Sequence, residues 1–225
     1  INVNNSGFLY GGTNKANQHA GVGLAVGALD SSVSPMFIVR AVNSGHIYAD
    51  DSVNNQANDQ FWKTGDTAEF GVGGAIGFAR SLGSSHIYAE HSDNSILEAG
   101  GNNVGGAVGC ILNDAKGSGV SDTFTVTSVL KSGTVIKTKG INIGGCIGNI
   151  WGQGDYCLLR TRVEGDASII GFKNVGGVSG RGQQGGSAEG AYAYLQGVPS
   201  APKLTLNAIN SNNNKYEANN NINAG

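Results

Sequence analysis

Two histidines stand in almost the same surroundings, Gly45-His46-Ile47-Tyr48-Ala49-Asp50 and Ser85-His86-Ile87-Tyr88-Ala89-Glu90. Two imidazoles in one register would suit metal ligation or proton shuttling. Each alternates with an apolar neighbour, as an outward-facing strand residue does, and no third ligand recurs with them. Inheritance of a repeat accounts for the pair, and no metal site is expected. Glu90-His91 and Asp50-Asp51 hold the groups that acid/base work on a glycosidic bond requires. Such sites gather several charged groups on one face, whereas the 16 acidic residues here are scattered along the chain. No Gly-x-Ser-x-Gly nucleophile motif sits in a strand–turn–helix setting. The stretch Gly71-Val72-Gly73-Gly74-Ala75-Ile76-Gly77 echoes a dinucleotide fingerprint, but no helix follows it. No catalytic residue and no cofactor site are therefore expected. Cys110, Cys146 and Cys157 lack metal-ligand spacing and read as small buried hydrophobes, one of them at least a free thiol. The run Thr123-Phe124-Thr125-Val126-Thr127 puts three threonines on one strand face, but only once. The remaining candidates are aromatic. Phe61, Trp62, Trp151, Tyr192 and Tyr194 could stack on sugar rings or anchor a protein partner, although packing explains any one of them alone.

The elements that must carry these residues are set by glycine. There are 38 glycines among 225 residues, more than twice the usual share of roughly 7%. Five blocks recur: Val22-Gly23-Leu24-Ala25-Val26-Gly27, Val72-Gly73-Gly74-Ala75-Ile76-Gly77, Val104-Gly105-Gly106-Ala107-Val108-Gly109, Ile143-Gly144-Gly145-Cys146-Ile147-Gly148 and Val175-Gly176-Gly177-Val178-Ser179-Gly180. They start at positions 22, 72, 104, 143 and 175, spaced by 50, 32, 39 and 32 residues. A period of that size marks a repeat architecture. Each block reads as one strand, with Val104, Val108 and Cys110 on one face and Gly105, Ala107 and Gly109 on the other. Large residues on one face and glycine on the other describe a strand lying close to another backbone layer.

Two further strand-like runs follow each block, such as Phe124–Leu130 with Thr134–Lys137 and Tyr156–Val163 with Ser168–Ile170. Helical periodicity and capping signals are absent. The expectation is an all-β, Gly-rich fold: a right-handed parallel β-solenoid (β-helix) of about five three-strand coils, roughly triangular in section, spanning residues 21–209. Asn102, Asn103, Asn142 and Asn174 mark tight turns before the blocks, where Asn tolerates left-handed backbone; they either stack between coils or stand hydrated. The insertion at 50–67 breaks the rhythm, and insertions in solenoids map to loops on one face. Residues 1–20 are polar, lack the block and read as an N-terminal extension or cap. Residues 210–225 form an Asn-rich C-terminal tail that needs its own solenoid or a neighbouring subunit to order it.

The blocks from Asn103, Asn142 and Asn174 onward resemble the GLUG motif, a repeat of large bacterial surface proteins that include adhesins. The resemblance covers most of residues 21–180. The family's copies typically have Leu where this chain has Ala75, Ala107, Cys146 or Val178, and the last block has Ser179 in place of a β-branched residue. The resemblance implies a surface location, a β-solenoid and a structural role without catalytic residues.

Fourteen basic against sixteen acidic residues give a net charge of -2 with no basic cluster, so nucleic acid is not an expected partner. No apolar run is long enough for a membrane span. The chain begins at Ile1, which fits an exported product with its signal peptide removed. Together these lead to a non-enzymatic extracellular or cell-surface protein, an adhesin segment or the self-assembling subunit of a surface fibre. Self-association through solenoid ends or termini is the expected partnership, with a surface glycan or host receptor as further partner. The alternative is a carbohydrate-binding or carbohydrate-degrading β-helix, including a phage receptor-binding protein.

Overall fold

The computed structural model describes residues 1–11, 20–29, 36, 38–49, 70–79, 83–113, 123–152, 156–184, 191–197, 203–209 and 215–221. The insertion at 50–67, with Phe61 and Trp62, lies outside them. All described elements are strands. The chain opens with β1 (Asn2–Asn5), β2 (Phe8–Gly11), β3 (Ala20–Gly23) and β4 (Val26–Leu29). The order repeats in β5 (Ile38–Asn43), β6 (His46–Ala49), β7 (Phe70–Gly73) and β8 (Ile76–Ala79). Next come β9 (His86–His91), β10 (Ile96–Ala99), β11 (Val104–Gly105) and β12 (Val108–Asn113). They are followed by β13 (Thr123–Leu130), β14 (Thr134–Thr138), β15 (Ile141–Gly144) and β16 (Ile147–Gly152). Then stand β17 (Tyr156–Val163), β18 (Ala167–Gly171), β19 (Lys173–Gly176) and β20 (Ser179–Gln184). The chain closes on β21 (Ala191–Gly197), β22 (Lys203–Ile209) and β23 (Lys215–Asn221).

Every fourth strand joins the same sheet. Sheet A runs β1-β5-β9-β13-β17-β21 and sheet B runs β2-β6-β10-β14-β18-β22-β23. Sheet C runs β3-β7-β11-β15-β19 and sheet D runs β4-β8-β12-β16-β20. All neighbours are parallel except β22 and β23. This is an all-β, solenoid-like stack, and each repeat contributes four strands where three were expected. The reason lies inside the glycine block. Its two central residues, 74–75 for example, form a bend, so each block is two short strands, one in sheet C and one in sheet D. The alternation of Val and Gly continues through the bend, and a period-2 reading cannot see it.

The bend sends the two halves of a block to different cores. Val72, Val104 and Ile143 pack with Ile47, Leu97 and Ile136 between sheets C and B. Ile76, Val108 and Ile147 pack with Val39, Ile87 and Val126 between sheets D and A. Within sheet B, Leu9, Ile47, Leu97, Ile136, Ile169 and Leu206 lie in register as one inward ladder. The four middle members are fully buried, each contributing on the order of 1.5–3 kcal/mol. A single layer cannot bury these faces; its neighbours do so.

Sheets C and D meet through their glycine faces. A Cβ on Gly105 would lie 2.0 Å from the Val108 carbonyl oxygen and 2.7 Å from the Gly148 nitrogen. The expected close approach of backbones is thus present, and the neighbours are the main chain itself. The backbone is left-handed at Asn103 (φ 58°), just before β11, and at Asn142 (φ 62°) and Asn174 (φ 57°), at the second positions of β15 and β19. Of the two readings open for these residues, stacking holds. Asn142 Nδ2 donates to Asn103 Oδ1 at 2.9 Å and Asn174 Nδ2 to Asn142 Oδ1 at 2.8 Å. Asn102 instead accepts from the Ile141 N–H through Oδ1 at 2.8 Å.

Because backbone cannot yield as a side chain does, Gly105→Ala should cost about 3 kcal/mol or more. Gly7→Ala, where nothing lies within 4 Å of the new atom, should stay within about 0.5 kcal/mol of the parent. Urea unfolding midpoints of the two variants check this; equal shifts would refute the backbone-contact account.

Candidate functional site

The two repeated histidines are not equivalent. His46 belongs to β6 in sheet B and pairs with Ile96, whereas His86 belongs to β9 in sheet A and pairs with Ile38 and Thr125. Inheritance at one register therefore does not explain their likeness. His46 Nε2 lies 3.4 Å from Glu98 Oε2, within ion-pair reach but not aligned as a hydrogen bond. Lys137 Nζ reaches the same oxygen at 2.9 Å. His86 Nδ1 is 2.6 Å from Thr125 Oγ1.

Glu90 and His91 point to opposite sides of β9, since successive residues of a strand must. Glu90 is on the outer face, where Lys131 Nζ approaches Oε1 to 2.6 Å and the Tyr88 hydroxyl donates to Oε2 at 2.9 Å. Partial burial alone would raise the Glu90 carboxyl. The bonds from Lys131 and Tyr88 outweigh it and hold the group below its usual value. The same bond holds Lys131 protonated to higher pH, and burial together with donation to Glu90 pushes the Tyr88 phenol up to about 12. The Arg40 guanidinium stands 5.6 Å over the Tyr88 ring. The set is a fixed ion-pair cluster, with Glu90 held as an anion.

His91 is fully buried, and its Nε2 lies 2.7 Å from the carbonyl oxygen of Gly106. A carbonyl can only accept, so the proton is on Nε2, and Nδ1 is buried without a partner. Burial lowers the affinity of this ring for a second proton. Cys110 and Cys146 are buried and not joined in a disulfide, and Cys146 Sγ is 3.4 Å from the Val126 carbonyl. Among the described residues no three His, Cys, Asp or Glu side chains converge.

The aromatic candidates that fall in described strands lie in two sheets. Trp151 lies in β16 of sheet D, its backbone in register with Leu112 and Gln183. Tyr192 and Tyr194 lie in β21 at the edge of sheet A, in register with Leu158 and Arg160. The aromatic cluster that does form lies on β2 and β6. Phe8 meets His46 edge-on at 4.9 Å between centroids, while Phe8 and Tyr48 stack at 6.4 Å and Tyr10 and Tyr48 at 5.6 Å. Phe8 and Tyr10 are 62% and 55% exposed, and Ile38 on neighbouring sheet A is 69% exposed. The three stacked rings form a platform on the outer face of sheet B, followed along the same row by Glu98 and Lys137.

The sequence held a signal for this cluster. Asn5-Ser6-Gly7-Phe8-Leu9-Tyr10-Gly11 echoes Asn43-Ser44-Gly45-His46-Ile47-Tyr48-Ala49, and the two strands lie in that register. Looking only for the glycine block hides it. No family model matches the chain, and neither a curated protein nor a solved structure matches it significantly.

His91 gives a pH dependence with a defined sign. Its folded value lies below 6.5, so above that pH neither state binds the extra proton and the group contributes nothing. As pH falls below 6.5, the unfolded chain gains a proton that the folded one resists, and stability falls by up to ~1.4 kcal/mol per pH unit. Urea midpoints at about pH 7.5 and about pH 5 should show this loss, and His91→Gln should flatten it. A profile unchanged by the substitution would assign the loss to other groups.

Proposed function

We propose that the chain is a non-enzymatic structural and adhesive element of an extracellular or cell-surface protein, akin to the GLUG-motif repeats of bacterial adhesins. In this reading it is a right-handed β-solenoid of about five full four-strand turns, closed by β21, β22 and β23. The hand follows from the strong preference of parallel crossover connections. It serves as an adhesin segment or as a subunit of a surface fibre, with a surface glycan or host receptor as ligand.

The observation that carries the reading is the contrast between the two faces of sheet B. Its inward row of Leu9, Ile47, Leu97, Ile136 and Ile169 stays aliphatic from layer to layer, while the outward row changes from Phe8 and His46 to Ile96, Val135 and Ser168. A constant interior under a varied exterior is what a display scaffold requires. The stack of Phe8, Tyr10 and Tyr48 favours a second, compatible reading, a carbohydrate-binding β-helix, because ring faces and edges suit the C–H faces of sugars.

Beads coated with the chain should retain cells or polysaccharide. Phe8→Ser combined with Tyr10→Ser should reduce that retention about tenfold, as the loss of two ring contacts of ~0.7 kcal/mol each implies. The far-UV spectrum should not change. A folded chain that retains no glycan or cell surface would remove the adhesive reading, and turnover of any polysaccharide would remove the non-enzymatic one.

A further inference from the structure

The chain has no basic run, yet its layers gather arginine on one face. Arg40 in β5 and Arg160 and Arg162 in β17 stand on the outer side of sheet A, alternating with buried Val39, Ala41, Leu159, Thr161 and Val163. These are three of the chain's five arginines. Lys131, one residue past β13, extends the same side toward Glu90. Register aligns Arg40, Tyr88, Thr127 and Arg160 as one row along the stack. Three strand steps of ~4.8 Å set the two arginines of that row about 14 Å apart.

The carboxylates of this face are already engaged. Glu90 is held by Lys131 and Tyr88, and Glu164 Oε1 lies 2.9 Å from Arg162 Nε. Asp93, in the turn toward sheet B, accepts from the Ser132 N–H at 3.1 Å. Among the described residues neither Arg40 nor Arg160 forms an ion pair with a carboxylate. Arg40 lies over the Tyr88 ring, a contact that uses the face of the guanidinium and leaves the N–H groups on its edge for an acceptor. The face therefore holds two uncompensated cations in a chain whose net charge is -2. On the outer side of sheet B, Lys137 is matched by Glu98.

The chemistry of the row selects its partner. A guanidinium binds a planar carboxylate through two parallel N–H bonds, a match that an ammonium does not offer. Duplex nucleic acid carries a charge every ~1.7 Å and is held by neutralising many phosphates together, which two cations about 14 Å apart do not do. A polysaccharide of uronic acids spaces its carboxylates along a chain of hydroxyls, and the polar Thr127 stands between the two arginines.

We propose that the outer face of sheet A binds an acidic polysaccharide of uronic acid units, its chain lying along the stack and its carboxylates held by Arg40 and Arg160. The proposal rests on the adhesive reading and names a glycan class for it, on a different face from the rings of Phe8, Tyr10 and Tyr48.

Calorimetric titration of the full chain with polygalacturonate tests this, with dextran and duplex DNA as comparisons. The parent should bind polygalacturonate more tightly than either. Arg40→Gln with Arg160→Gln should weaken that binding about tenfold, as the loss of two exposed charge contacts implies. Lys137→Gln with Lys203→Gln removes the same charge from sheet B and should leave binding within about twofold of the parent. An unchanged far-UV spectrum in both variants shows the fold intact. No binding of polygalacturonate, equal binding of dextran or DNA, or an equal effect of the two double substitutions would each overturn the proposal. A chain that ignores polygalacturonate but still retains cells or neutral glycans leaves the adhesive reading standing, whereas one that retains nothing removes both.

Discussion

Contact between the backbones of sheets C and D is the constraint on which the rest of the structure depends. With glycine on both facing surfaces, two strands approach more closely than any side chain permits, and their other faces are left free to cover two cores. Val104 and Val108 are only four residues apart, yet they serve different cores because the chain reverses between them. The pair of inner sheets acts as a wedge between the outer pair. Sheets A and B need only one apolar face each, and their outward residues carry no packing duty.

The polar groups within this stack are used mainly to hold register. The amide ladder of Asn103, Asn142 and Asn174 places one side chain per layer at a left-handed turn and ties each to the next. A one-residue slip would break both the turn and the ladder. Near the first layer Asn5 Nδ2 donates to Asn43 Oδ1 at 2.9 Å in the same manner. His91 departs from that economy. A titratable ring sits where Asn43 and Leu130 occupy the neighbouring positions in register, and it makes the interior sensitive to acid at one point.

Much of the fold was legible in the chain. The strand pairs after each block match β5 and β6, β9 and β10, and their successors, since β-branched and aromatic runs between Gly, Asn and Ser leave little ambiguity. What escaped was hidden by like patterns. The bend at residues 106–107 keeps the apolar–glycine alternation of a straight strand, so one strand was read where two exist. His46 and His86 share a local sequence but not a sheet, because register is set by the whole layer and not by four neighbouring residues. The Phe8 platform was missed because residues 1–20 lack a glycine block, although their Asn-Ser-Gly turn was in view. Of the isolated aromatics, Trp151 falls in sheet D and Tyr192 and Tyr194 in sheet A.

The connections between strands record how unevenly the structure accepts change in length. Between sheets C and D the link is two residues in every layer: 24–25, 74–75, 106–107, 145–146 and 177–178. From sheet B to C it ranges from one residue after β18 to 20 after β6. The irregular spacing of the blocks is therefore confined to corners with slack, and the wedge tip has none. New sequence grafted at the B-to-C corner would project from the side of the stack without altering its period. A single residue added at the tip would push two main chains into each other.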